Sequence, residues 1–277
     1  MRKLSFVVVL AVLAAPAFAG FSVDLPIVAG LQGVSTRFYT AVDVTNYSAQ
    51  PTDVSFEYIS TDYTVEAHGT LVTGLPAHGN FHTDDVIIYL ANHGFLTADQ
   101  AKNSKGTMLL TFTNPAFLEG SEAAVTVRTY NFLTPGQPAS VGYSYRGFVV
   151  RGEGAHALSA VIGDTSTASS GVPVVITNLG VEDVGINDQG QVDTAPVTVQ
   201  LTFVDPATGH QVGPQPTVTL KPGQVTQINN VWTTYSLSHS AQNLLLTLAE
   251  TAGTAQIRAY VIEKDVTTND GSIFFAQ

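Results

Sequence analysis

The feature that most restricts the fold of this chain is a strict two-residue alternation of apolar and polar side chains in short runs. Val54, Phe56 and Tyr58 alternate with polar neighbours, and so do Val197, Val199, Leu201 and Phe203. A period of two puts one set of side chains on a single face of an extended strand, so each run describes a strand with one buried face. Turn-forming residues separate the runs: Asn46-Tyr47-Ser48, Pro135-Gly136, Asp205-Pro206-Ala207-Thr208-Gly209, Lys221-Pro222-Gly223 and Asn269-Asp270-Gly271. Helical periodicity is nearly absent. Residues 83–92, capped by Thr83 or Asp84 and stopped by Gly94, are expected to form one short helix, and residues 99–105 another turn or two. The second half is expected to replace them with a shorter polar stretch over 236–242. Short strands at such spacing predict an all-β chain of sandwiches.

Similar blocks occur in the same order in both halves, which points to an internal duplication. Val42-Asp43-Val44-Thr45-Asn46 matches Val174-Val175-Ile176-Thr177-Asn178, and Val54–Tyr58 matches Val199–Phe203. The turn Leu75-Pro76-Ala77-His78-Gly79 resembles Leu220-Lys221-Pro222-Gly223. Met108–Phe112 matches Leu244–Leu248, and Val127-Arg128-Thr129-Tyr130 matches Ile257-Arg258-Ala259-Tyr260. The halves join at the Gly-rich, charged segment Arg151-Gly152-Glu153-Gly154-Ala155. A first domain over 20–151 and a second over 156–277 follow, each of ordinary sandwich size and set close together by so short a joint.

Residues 1–19 read as a secretory signal peptide. Arg2 and Lys3 precede a short apolar run, and Ala17-Phe18-Ala19 places small residues at the positions that direct cleavage before Gly20. The run is too short for a membrane span, so no integral membrane protein is expected. Removing Arg2 and Lys3 from 11 basic residues, against 22 acidic ones, leaves a mature charge of −13. So acidic a surface argues against nucleic acid and anionic membrane as partners. The chain has no Cys, so an exported protein of this kind depends on packing for its stability. The leader and the absence of Cys together suggest a bacterial protein, secreted or periplasmic.

On the strands ending in Val-Thr-Asn or Ile-Thr-Asn, the Leu-x-Pro-Gly-type turn before paired Asp or Asn, and the closing segment Asp265-Val266-Thr267-Thr268-Asn269-Asp270-Gly271-Ser272, the chain resembles secreted bacterial proteins of tandem immunoglobulin-like β-sandwich repeats. The first half departs from the pattern with His78-Gly79 where Pro-Gly is expected. The resemblance implies two immunoglobulin-like sandwiches without an assigned activity, and so no catalytic residues.

Several side-chain groups could carry chemistry. His78, His82, Asp84 and Asp85 are the densest set of zinc-type ligands, though the simpler reading has Asp84 and Asp85 capping a short helix and the histidines solvated. Glu182, Asp183, Asn187, Asp188 and Asp193 fall in a Gly-bearing insertion that the first half lacks. Asp183, Asp188 and Asp193 there offer oxygen ligands for calcium, on what reads more simply as a solvated acidic loop. Tyr143, Tyr145 and Phe148 are candidates for an exposed aromatic surface that binds sugar rings, or for core filling. Arg128 with Tyr130, and Arg258 with Tyr260, share a strand face and are expected to serve structure, by arginine stacking or carbonyl bonding. Trp232, the only Trp, is expected in the second core.

No Gly-x-Ser-x-Gly elbow, P-loop or dinucleotide fingerprint is present. The sequence therefore points to an exported, non-enzymatic structural, adhesive or binding protein of the cell surface or periplasm, with no required cofactor and with protein or glycan as partner. A carbohydrate-binding module and a metal-dependent hydrolase built on the His78 group are the alternatives.

Overall fold

A computed structural model describes residues 21–31, 37–114, 122–132, 140–149, 154–163, 175–189, 191–237, 243–266 and 271–277. The expected signal peptide and the turn at Pro135-Gly136 lie outside the described residues. The fold is all-β, with four antiparallel sheets and three short helices among the described residues. The first sheet runs β4 (Glu66–Leu75), β3 (Thr52–Ser60), β6 (Asn103–Phe112), β1 (Phe21–Leu31) and β9 (Phe148–Val149). The second runs β5 (Asn80–Thr83), β2 (Phe38–Asn46), β7 (Ala123–Phe132) and β8 (Ser140–Arg146). The third runs β10 (Ala157–Gly163), β15 (Asn243–Ala252), β12 (Val197–Val204) and β13 (Thr217–Leu220). The fourth runs β14 (Val225–Ile228), β11 (Val175–Asn187), β16 (Ala255–Asp265) and β17 (Gly271–Phe275). Apart from β9, the two halves have one strand order: β4-β3-β6-β1 corresponds to β13-β12-β15-β10, and β5-β2-β7-β8 to β14-β11-β16-β17.

Alternation creates the cores. In the first half Val42, Val44, Val125 and Val127 of the second sheet pack with Leu25, Phe56, Tyr58, Met108 and Leu110 of the first. In the second half Leu179, Val181, Ile257 and Val261 pack with Val199, Leu201, Phe203 and Leu246 around Trp232. The Trp232 indole N–H donates to the Gly163 carbonyl at 2.6 Å, so the ring is buried with its one polar atom satisfied.

Helices α1 (Val86–Asn92) and α2 (Ala98–Lys102) occupy the segments expected to be helical. The cap of α1 is Asp85, one of the two aspartates expected to cap a helix, rather than Thr83 or Asp84; its carboxylate accepts from the Ile87 and Ile88 amides. Thr97 and Gln100 close a reciprocal capping box on α2. In the second half a helical turn, α3 (Val231–Thr234), precedes the stretch expected to be polar coil, with Asn230 as its cap.

The halves share a broad seam. Strands β1 and β16 are buried on both faces, because the outer face of the first sheet lies against the outer face of the fourth. Val225, Tyr260 and Ile262 belong to one continuous apolar cluster with the first half's core. Polar contacts pin the seam at its rim: Tyr63 Oη donates to Pro222 O at 3.1 Å, Thr107 Oγ1 to Gly223 O at 2.9 Å, and Gln224 Nε2 to Thr61 O at 2.8 Å. Gly180 is required here, since a Cβ on it would meet Tyr260 Cζ at 1.9 Å.

Backbone hydrogen bonds place the halves in a different register from the sequence blocks. Asn46 N donates to Gly79 O, and Asp183 N to Gln224 O, each just before an equivalent strand, β5 or β14. Each side chain's Oδ1 also accepts from the amide two residues on, Ser48 or Gly185. Asp183 is thus the structural counterpart of Asn46, whereas the Val-Thr-Asn match pairs Asn46 with Asn178. The motif was misleading because β11 has 13 residues against 9 in β2.

Candidate functional site

The expected ligand groups are dispersed or consumed by structure. His82 stands between two carboxylates, with Nδ1 2.8 Å from Asp43 Oδ1 and Nε2 3.0 Å from Asp84 Oδ1. Those bonds favour the charged imidazole and raise its pKa, Asp84 contributing most and Asp43 next. His78 lies apart, in the turn before β5, with a left-handed backbone (φ 55°). Asp85 is committed to the α1 cap, and burial raises its pKa. The four residues of the expected zinc group therefore do not converge. Among the described residues no set of three or more His, Cys, Asp or Glu side chains is placed to hold a metal ion.

The acidic segment of the second half is not the solvated loop expected from its composition. Glu182 and Asp183 lie within β11 and are buried, on opposite faces of the strand. Asp183 Oδ1 accepts from the Gly185 amide at 2.7 Å, and the Gly223 amide also faces the carboxyl and lowers its pKa. Burial foremost, with Asp193 and Glu250 adding negative charge, pushes its pKa up to about 7. Asp193 accepts from the Ala195 amide and from the Thr254 hydroxyl. Asp188 sits on the far side of His156, whose other ring nitrogen bonds Glu250. Asp183, Asp188 and Asp193 thus each have separate structural partners rather than a common centre for calcium.

Tyr143, Tyr145 and Phe148 do not form an exposed sugar-binding surface. Tyr145 is buried, its hydroxyl donating to Ile27 O at 2.7 Å and accepting from Ile27 N at 3.1 Å. Tyr143 lies against β17 near Gly271, and Phe148 is covered by Phe275 at 4.3 Å between ring centroids and by the Arg258 guanidinium at 4.6 Å. The sequence places these rings near the joint between halves, and there the seam closes over them. Tyr145 and Phe148 line one side of a shallow cleft of 420 Å³ along with Arg146, Ile273 and Phe275.

The two Arg-x-Tyr pairs do different work. Arg128 is exposed and lies over the Tyr130 ring at 5.2 Å, as one end of a column in which Tyr39 stacks on Tyr130 at 5.6 Å and Arg37 lies over Tyr39 at 5.5 Å. Arg258 is 3% exposed and joins the halves. Its Nη1 donates to Asp24 of β1 and, at 3.1 Å, to Glu182 of β11, while Nε and Nη2 have no hydrogen-bond partner among the described residues.

Two buried carboxyls to one guanidinium leave an excess negative charge unless a proton is held. Burial, and then the negative charge of Asp24, raise the Glu182 carboxyl well above the usual range. Burial also raises Asp24, against the pull of Arg258. This triad is the most highly perturbed charge cluster described, and sequence reasoning missed it because Asp24 and Arg258 are 234 residues apart.

Neither a family model nor a curated protein matches the chain. No helix among the described residues is long and apolar enough to cross a membrane.

Proposed function

We propose that this chain is an exported, non-enzymatic structural, adhesive or binding protein of the bacterial cell surface or periplasm, made by duplication of one β-sandwich. The observation that carries the reading is the seam. Its buried triad, apolar cluster and rim hydrogen bonds make one stiff body of two halves, which suits a module that presents surfaces. The shared strand order supports the duplication. The perturbed carboxyls are engaged in architecture, with Arg258 and the Gly185 amide as partners rather than an open site.

The test is to express the full chain with its leader and recover it from the periplasm or medium. An N-terminus beginning Gly20-Phe21, saturable binding to intact cells or immobilised glycans, and no turnover across ester, peptide and glycoside substrates are expected. Retention in the cytoplasm, or turnover that survives purification to homogeneity, overturns the reading.

Carbohydrate binding retains one observation in its favour, at a different place from that expected. Tyr39, Tyr130 and Phe132 form a half-buried aromatic cluster on the outer face of the second sheet, flanked by Arg128. Glycan binding abolished by Tyr130→Ala, with folding intact, would assign it there.

A further inference from the structure

The outer face of the third sheet differs from the rest of this acidic surface. Val161 of β10 is 62% exposed and its cross-strand partner Leu245 of β15 is 37% exposed, with Val204 of β12 next in the same row. The adjoining row on that face is Ser159, Thr247 and Thr202. These six positions carry no ionisable group, in a chain of formal charge −11. The corresponding face in the first half, that of β1 and β6, is not left bare. The chain covers it with its own fourth sheet, and there the strand carries Asp24 for Arg258 to meet.

We infer that the outer face of the third sheet is a self-association surface, on which a second copy of this chain packs face to face to form a two-fold dimer. Charge selects the partner. Two exported copies, each at −13 once Arg2 and Lys3 are removed, repel over most of their surfaces, and the repulsion and desolvation costs are lowest where both faces lack ionisable groups. The face is also self-complementary in chemistry, with an apolar row beside a hydroxyl row, as an isologous contact requires.

Size sets the strength. Three strands at about 4.8 Å spacing and about seven residues at 3.3 Å, with the four residues of β13 beside them, give a face of about 400 Å². Two such faces bury about 800 Å², below the roughly 1,000 Å² of a stable interface. The dimer is therefore weak, forming at about 100 μM or above rather than at nanomolar concentrations.

The absence of Cys makes the test clean, because any cysteine introduced is the only one. In the full exported chain, Leu245→Cys should yield a disulfide-linked dimer on mild oxidation, and Thr126→Cys, on the second sheet, should not. Sedimentation velocity over a concentration series should show a monomer–dimer equilibrium that Leu245→Lys abolishes. An equimolar mixture of Leu245→Lys and Leu245→Glu should restore it. An unchanged thermal midpoint in each variant establishes that the fold is intact. A strict monomer at several hundred μM, an open-ended series of oligomers, or a dimer unaffected by Leu245→Lys overturns the proposal.

Discussion

Asp183→Asn should make the protein more stable, and only above mildly acidic pH. Asn46, the counterpart of Asp183, donates its Nδ2 to the carbonyls of Gln50 at 2.8 Å, Pro76 at 2.9 Å and Leu75 at 3.3 Å. Asp183 brings a second carboxylate oxygen to that place, and the Gly185 and Gly223 amides are the donors that face the carboxyl. Its pKa is raised from 3.8 to about 7. A raised carboxyl pKa means that the folded state holds the proton more tightly than the unfolded chain does. The associated stability is complete below 3.8 and lost as pH rises through about 7. At about 1.4 kcal/mol per pH decade, the full loss is about 4 kcal/mol, and relaxation around the site reduces it toward about 2. An asparagine keeps the acceptor for the Gly185 amide and cannot carry the buried charge, but its Nδ2 loses the attraction between the second oxygen and the Gly223 amide. The variant should therefore come near the wild type at pH 4 and exceed it by about 2 kcal/mol near pH 8.5. Urea denaturation followed by the fluorescence of Trp232, the only Trp and part of the second core, measures this directly. Glu182 titrates in the same direction, so the difference between variant and wild type isolates Asp183. A variant no more stable than wild type at high pH, or one with the wild-type pH slope, refutes the argument.

Other outcomes follow from the same geometry. Arg258→Met leaves Asp24 and Glu182 buried without their cation and should cost about 3–5 kcal/mol at neutral pH in urea denaturation, and less at acidic pH, because burial favours the protonated form of both carboxyls. Gly180→Ala should lower stability by about 1–3 kcal/mol, by forcing the Tyr260 ring off β11, and Tyr260→Leu in the same chain should recover part of the loss. His82→Gln should matter only at acidic pH, by less than about 1 kcal/mol for so exposed a pair. The raised imidazole pKa gives stability that is present below the unfolded value near 6.5 and lost as pH rises through the folded one, so the wild-type and variant curves should merge at high pH.

The parts of the fold that could be read in advance are those governed by local physics. Val54, Phe56 and Tyr58 alternate because one face of β3 meets the core, and the pattern translates directly into a strand. Strands β1, β11 and β16 carry a weaker two-residue pattern because both their faces are buried, one in a sandwich and one in the seam. For the same reason Glu182 and Asp183 looked like loop acids: nothing local announces that Arg258 and a covering sheet await them. Tyr143 and Tyr145 read first as core and seam residues and only second as a surface, and the placement of β17 agrees with the first reading. The Asn46–Asp183 equivalence was hidden by a motif at Asn178 that repeats in sequence but not in hydrogen bonding.

The seam also imposes an order on synthesis and folding. Strand β1 precedes the other described strands, yet its outer face is covered by the fourth sheet, and Asp24 must wait for Arg258. The first half can collapse early around Val42, Val125 and Leu110, but its apolar cluster is complete only when Val225, Tyr260 and Ile262 arrive. Contacts of such long sequence separation slow the search and leave a sheet face open to wrong partners in the meantime. Delivering the chain unfolded across a membrane would let both ends reach the far side before either commits. A chain truncated ahead of β16 would be left with a buried-type acid and an apolar sheet in water.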